Sequence, residues 1–181
     1  MIIYMSRDDF MRTPVGSKIE VVDFSAAKTR SEIPASTTHH ILADPRLRPT
    51  RNEIFQRMAH LIAERSPCIR LHVGCIITDE ALDNVLGIGY NGPCHGAPNI
   101  CDRTEPGNCG CVCAEANALT KADWRPRRRA FVTHLPCFRC AKLLVNAGII
   151  SVHVEHDYTY QETKEIFQKA GVELIIGGLN V

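Results

Sequence analysis

Three cysteines and one glutamate have the types and the spacing of a reactive metal site. Glu115 follows Cys113 by two residues, and Cys137 and Cys140 form a C-x₂-C pair after an interval of 23 residues. Three thiolates suit Zn²⁺, and a site with only three protein ligands leaves one tetrahedral corner open for water. Glu115 is close enough in sequence to hydrogen-bond that water and to carry its protons. The four residues therefore predict a catalytic zinc site.

Two helices must position these residues. Helical composition runs over 113–122, and a second helix is predicted over 137–147 with Gly148 at its end. A cysteine at a helix N-terminus faces unpaired N–H groups and the positive end of the helix dipole, which lower its pKa and favour the thiolate. We therefore expect Cys113 and Cys137 to lie at two helix N-termini.

The other elements alternate in type along the chain. Thr50 and Glu53 match a capping box that opens a helix, and apolar residues follow at helical spacing. After Cys113 the order α-β-α-β-α-β predicts helices on both faces of a largely parallel sheet. The predicted helices are 51–64, 113–122, 137–147 and 160–170, and the predicted strands are 72–78, 85–90, 130–134, 151–155 and 172–176.

Composition bounds the class of protein. The 181 residues suit one domain over 50–181 preceded by an N-terminal extension or arm over 1–49, where His39 and His40 read as a polar loop pair. A net charge of +1 gives no excess of positive charge to attract a polyanion, so nucleic acid is not an expected partner. The nine cysteines could form a disulfide framework, but no signal peptide is recognised and the C-x₂-C spacing is typical of a metal site. Cys68 and Cys75 read as small buried residues. No apolar run reaches the ~20 residues that span a bilayer, so we expect no membrane association and a cytoplasmic location.

Three motifs in order identify a resemblance. Gly-Tyr-Asn-Gly over 89–92, Cys-Ala-Glu-Ala-Asn-Ala-Leu over 113–119 and Pro-Cys-Phe-Arg-Cys-Ala-Lys over 136–142 resemble the deoxycytidylate (dCMP) deaminases of the zinc-dependent cytidine deaminase-like superfamily. The likeness covers about 52–176. It implies an α/β fold, a three-layer α/β/α sandwich with a mixed central sheet of about five strands.

The resemblance also implies a function. It implies zinc-activated hydrolysis of dCMP to dUMP and ammonia, feeding thymidylate synthesis, with Glu115 as the proton shuttle. It further implies a homo-oligomer, with a hexamer favoured, and control by dCTP and dTTP, where Mg²⁺ would accompany a nucleotide effector. By the same resemblance Asn91 would contact the sugar or the base; a turn residue is the alternative.

One departure from the family pattern concerns the metal. The family usually has His where this chain has Cys113, and three thiolates on Zn²⁺ give a formal charge of −1. Extra negative charge makes the bound water less acidic, so a positive neighbour should compensate. Arg139 is the candidate, because its guanidinium could hydrogen-bond one of the thiolates; a solvated or interface arginine is the alternative.

Other residues are weaker candidates. Arg65 and Arg70 could bind the 5′-phosphate, for which the guanidinium fork is suited, or lie on the surface. A second, structural zinc could be held by four residues of the long loop, against the alternative of free thiols. These residues are Cys101, Cys109 and Cys111 with His95 or Cys94.

Two other functions stay open at this point. The chain could deaminate another cytosine nucleotide, such as dCTP or a modified dCMP, or cytosine in single-stranded nucleic acid. The 6% aromatic content and balanced charge disfavour the nucleic acid. It could also be a non-catalytic zinc or nucleotide-binding module, which Glu115 disfavours because a structural site has no use for an acid.

Overall fold

A computed structural model describes residues 48–101, 110–157 and 161–177. Of the predicted arm, only Arg48 and Pro49 are among these residues. His39, His40 and Cys109 lie outside the described ranges. The boundary between arm and domain stays a prediction.

The first described helix, α1 (Arg51–Ala63), begins as the capping box predicts. The Thr50 hydroxyl accepts a hydrogen bond from the Glu53 N–H at 3.2 Å, and the Glu53 carboxylate accepts one from the Thr50 N–H at 2.7 Å. These bonds satisfy two of the N–H groups that a helix start leaves unpaired. Phe55 and Ala59 form part of the buried face of α1.

A five-stranded mixed sheet is the centre of the fold. Its strands are β1 (Gly74–Asp79), β2 (Val85–Tyr90), β5 (Arg128–His134), β6 (Ile149–His156) and β7 (Glu173–Ile176), in the order β2-β1-β5-β6-β7. Two short strands, β3 (Gly92–Pro93) and β4 (Cys111–Val112), form a separate pair. The remaining helices are α2 (Ala114–Leu119), α3 (Phe138–Asn146) and α4 (Gln161–Lys169).

Strand direction divides the sheet in two. β1 pairs antiparallel with β2 and with β5, whereas β5, β6 and β7 run parallel. The prediction of a largely parallel sheet thus holds for the part after Cys113, where each crossover contains a helix. The antiparallel half comes from the hairpin that precedes the first cysteine motif.

Alternate side chains of the strands enter two cores. Ile76 and Phe131 pack with α1 on one face. Neighbouring positions, such as Ile77 and Val132, pack on the other face with the buried sides of α2, α3 and α4. The helices after Cys113 therefore share one face, and α1 forms the layer on the opposite face. This arrangement is the three-layer sandwich.

A polar row on the α1 face includes a buried histidine. The His153 ring stacks on Phe131 at 4.5 Å between centroids, and its Nε2 lies 3.4 Å from the Ser151 hydroxyl. Burial, and then the positive charge of Arg129, lower the pKa of His153 to about 4. The ring is therefore neutral at pH 7.

Candidate active site

The fold brings the three predicted thiols together. One sulfur each from Cys113, Cys137 and Cys140 lies within 4.8 Å of the others. Cys113 is the N-cap of α2 and Cys137 is the N-cap of α3, and neither side chain caps its helix. Cys140 lies in the first turn of α3, so that the C-x₂-C spacing directs both sulfurs to one end of one helix. Both helix starts lie where the sequence predicts them.

The thiols share protons in a way that suits a metal. Hydrogen bonds from Cys113 and Cys140 lower the pKa of Cys137 to about 2. The N–H groups of Cys140 and Arg139 lower it further. In turn, bonding to Cys137 raises the pKa of Cys113 to about 12, and the pKa of Cys140 is raised as well. One thiolate is thus held by two thiols, whose protons a divalent ion would displace.

Glu115 is buried beside these sulfurs. The residue is 4% exposed, in the first turn of α2. Burial, aided by the negative charge of Cys137, raises the pKa of its carboxyl to about 7, although a hydrogen bond from Cys140 opposes the change. A carboxyl with this pKa can both accept and donate a proton near neutral pH.

Glycines in β2 allow α2 to pack directly on the sheet. A Cβ on Gly89 would lie 2.1 Å from the Ala114 carbonyl oxygen, and a Cβ on Gly87 would lie 2.5 Å from that of Ala118. The Asn117 amide also donates a hydrogen bond to the Tyr90 carbonyl at 2.8 Å. These contacts set the height of Cys113 and Glu115 above β2. The sequence shows the glycines but not which helix they face.

The start of α3 is held by residues that sequence reasoning missed. The Thr163 hydroxyl, fully buried on α4, donates a hydrogen bond to the Pro136 carbonyl at 3.1 Å. The Leu135 N–H donates to the His156 carbonyl at 2.9 Å, which continues the β5–β6 ladder to the residue before Pro136. Both bonds fix the backbone that precedes Cys137. No sequence pattern signals the bond from Thr163, because 27 residues separate the partners.

Asn91 lies at the turn that joins β2 to β3. Its amide oxygen accepts from the Val73 N–H at 2.8 Å, and its amide nitrogen donates to the Leu71 carbonyl at 2.8 Å. Pairing of Gly92 with Val112 then brings this turn beside the start of α2. The amide thus has a fixed orientation and keeps one further hydrogen-bonding position on each atom.

The predicted arginines lie on the surface. Arg65, Arg70 and Arg139 are all exposed. The backbone N–H of Arg139, rather than a described side-chain contact, lowers the pKa of the Cys137 thiol. The helix start therefore supplies part of the positive potential that the sequence assigned to the Arg139 side chain.

The residues suggested for a second zinc differ in their exposure to solvent. Cys101 is buried, Cys111 is partly buried, and Cys94 and His95 are exposed, while Cys109 lies outside the described residues. Cys68, read from sequence as a small core residue, lies within hydrogen-bonding reach of Cys101. Burial raises the pKa of Cys68, but N–H groups of Leu71 and Arg70 and the Cys101 thiol lower it overall.

Comparison with known proteins gives the family. The model of the cytidine and deoxycytidylate deaminase zinc-binding region matches residues 49–156. The chain belongs to this family. Human deoxycytidylate deaminase is 33% identical to this family member over 140 residues, covering 66% of the chain and 75% of the human protein. The deoxycytidylate deaminase of Saccharomyces cerevisiae is 32% identical over 143 residues, 71% of the chain but only 45% of the yeast protein.

A solved family structure has the same fold. The dCMP deaminase of the cyanophage S-TIM5, in complex with dCMP and dUMP, superposes with a TM-score of 0.63 at 28% identity. The match covers 72% of this chain and 98% of that chain. It confirms the cytidine deaminase-like α/β fold expected from the motifs. Within the described ranges, no helix is long and apolar enough to cross a membrane.

Proposed function

We propose that this chain hydrolyses dCMP to dUMP and ammonia. The observation that carries the proposal is the buried Glu115 beside three converging thiols, within a chain of the deoxycytidylate deaminase family. A closed structural zinc site needs four ligands and no acid. The three thiols and the neighbouring carboxyl instead match a site that binds a metal and keeps a position for water.

The donor set fits zinc. Thiolates are soft ligands that select Zn²⁺ over hard cations, and the sulfurs lie close enough together for one ion. Cys113, Cys137 and Cys140 would hold it. When bound, the ion supplies the Lewis acidity that lowers the pKa of a coordinated water.

Glu115 manages the protons of the reaction. Its carboxylate accepts a proton from water as the water oxygen bonds to C4 of the cytosine ring, and it delivers this proton to N3. It then carries the second proton of the water to the C4 amino group, which leaves as ammonia while C4 becomes a carbonyl. Because burial already raises its pKa to about 7, both directions of transfer are accessible near neutral pH.

Substrate contacts follow from the loops around the thiols. Asn91, oriented by Val73 and Leu71, is proposed to bind the sugar or the base with its remaining amide positions. Arg65 and Arg70 are exposed and are proposed to bind the 5′-phosphate. For the cofactors, we keep a second zinc as a hypothesis and add Cys68 to its candidate ligands beside Cys101.

An ultraviolet assay tests the function. The zinc-loaded chain is supplied with dCMP, deoxycytidine, dCTP, dAMP and a cytosine-containing single-stranded oligonucleotide. We expect the highest kcat/KM for dCMP, loss of turnover in Glu115→Gln, and normal turnover in the exposed control Glu173→Gln. Absence of turnover on every cytosine substrate contradicts the proposal.

The same assay addresses regulation and assembly. Addition of dCTP with Mg²⁺, or of dTTP, is expected to change the dependence of rate on dCMP concentration. Light scattering of the purified chain measures the oligomer, for which a hexamer is expected. Unchanged kinetics with either nucleotide would remove the effectors while leaving the deaminase function intact.

A further inference from the structure

A second group of metal-type side chains lies at the carboxyl edge of the sheet. His60 comes from α1, His134 ends β5, and Glu155 and His156 end β6. His134 and His156 are register partners across the parallel pair. None of these side chains belongs to the cysteine site, and the proposed deaminase mechanism does not use them; of His156, only the backbone carbonyl contacts the segment before Cys137.

The side chains are in contact or nearly so. His60 Nε2 hydrogen-bonds to the Glu155 carboxylate. The rings of His60 and His156 lie 6.3 Å apart between centroids, almost perpendicular at 88°. The rings of His134 and His156 lie 4.8 Å apart. Three imidazoles and one carboxylate thus gather from three elements that are far apart in sequence.

The spacing of the imidazoles is wider than that of a coordinated pair, and among the described residues only the three cysteines have ligand atoms within 4.8 Å of one another. With metal–nitrogen distances of about 2.0–2.1 Å, two imidazoles on a tetrahedral ion have ring centroids about 5 Å apart. The separation of 6.3 Å between His60 and His156 requires an approach of about 1 Å. His156 is exposed and can rotate to make it. A metal would replace the hydrogen bond between His60 and Glu155.

The ligand types and their access to solvent suit a divalent transition-metal ion. The side chains of His60 and Glu155 are 41% and 29% exposed, so that an ion can reach them. Imidazole and carboxylate ligands suit Ni²⁺, Cu²⁺ and Zn²⁺, whereas the three thiolates of the cysteine site favour metals that prefer soft sulfur ligands.

We propose that His60, Glu155 and His156 form a metal site, separate from the cysteine site, that binds one divalent transition-metal ion. The bound ion would link α1 to the end of β6. The His134 ring packs beside the His156 ring at 4.8 Å between centroids. The ligands of the proposed site differ from those of the cysteine site, because they come from α1 and the end of β6 and not from the starts of α2 and α3.

Nickel binding to the zinc-loaded full chain tests the proposal. The chain is first loaded with zinc and its zinc content is measured, and Ni²⁺ is then titrated by calorimetry while the absorption spectrum is followed. We expect one Ni²⁺ per chain without loss of zinc and without a thiolate-to-metal charge-transfer band. We also expect Ni²⁺ to raise the Tm of the wild-type chain, since it binds only the folded state.

Matched variants assign the ligands. His60→Gln and Glu155→Gln should each weaken Ni²⁺ binding at least about tenfold, and the exposed control His72→Gln should leave it unchanged. Glu155→Gln keeps a hydrogen-bonding partner for His60, so it tests the ligand even if the other variant folds poorly. Nickel that displaces zinc and shows thiolate charge transfer, absence of an additional ion, or equal binding by wild type and Glu155→Gln would each overturn the proposal.

Discussion

Substitution of Gly89 by alanine should damage the active site without touching any group that reacts. The added Cβ would lie 2.1 Å from the Ala114 carbonyl oxygen and 2.4 Å from the Ala118 nitrogen. Both are backbone atoms of α2 and cannot rotate away. The helix must therefore retreat by about 1 Å or more to restore van der Waals contact.

The retreat has two measurable effects. Overpacking of this kind destabilises the folded state by about 1–3 kcal/mol. Each kcal/mol lost should lower the Tm by about 2–8 °C in a domain of this size. Because Cys113 and Glu115 begin α2, they move with it. A misplacement of about 1 Å in a catalytic group lowers turnover by roughly 10²-fold.

The assay combines thermal unfolding, zinc content and turnover of dCMP. Gly110→Ala is the matched control, because a Cβ at Gly110 meets nothing within 4 Å. We expect Gly110→Ala to behave as wild type and Gly89→Ala to lose both stability and turnover. Wild-type turnover and Tm in Gly89→Ala would refute the reasoning that the glycine sets the height of α2.

Three further predictions concern single side chains. Glu115→Gln should retain its zinc in metal analysis while kcat falls by about 10²–10⁴, and wild-type turnover would refute the shuttle. Thr163→Val should lose about 1–3 kcal/mol in denaturant unfolding by leaving the buried Pro136 carbonyl unpaired; equal stability of Thr163→Val and Thr163→Ser would contradict this. Because the pKa of His153 is lowered in the folded chain, His153 is protonated at a higher pH in the unfolded chain than in the folded one. The free energy of unfolding should therefore fall by up to about 3 kcal/mol as the pH drops from 6.5 to 4. His153→Phe should flatten this dependence in urea titrations at the two pH values, and an unchanged slope would exclude His153 as its source.

Local sequence patterns predicted the four described helices and the five strands of the main sheet, but not the β3–β4 pair, and α2 ends at Leu119 rather than at residue 122. The capping box at Thr50 and the glycine after α3 predict helix ends from interactions between residues three or four apart, and these ends lie where expected to within one or two residues. The same locality placed Cys113 and Cys137 at helix starts. The C-x₂-C spacing places Cys140 within the first turn of the same helix.

The motifs also predicted the family, which the comparisons confirm. The fold class followed from that resemblance and from the alternation of elements after Cys113. The assignment of all later helices to one face did not follow, because the sequence gives no indication of which side of a sheet a crossover helix covers when both faces are apolar.

The three arginines around the start of β5 show what only the tertiary structure decided. Arg127, Arg128 and Arg129 are adjacent in sequence, but in the fold Arg127 pairs with Glu80 and Arg128 is buried against the Ala147 carbonyl. Arg129 donates hydrogen bonds to the Glu80 carbonyl and to Ser151. Successive strand residues point to opposite faces, so adjacent charges acquire different partners.

The sequence by itself predicted the chemistry, because the three thiols and the glutamate lie in two short motifs at the starts of helices. Tertiary structure alone decided which side chains support that chemistry and which meet elsewhere. The bond from Thr163 to Pro136 spans 27 residues and the contact of His60 with Glu155 spans 95. Such contacts depend on strand order and helix placement, which no local pattern records.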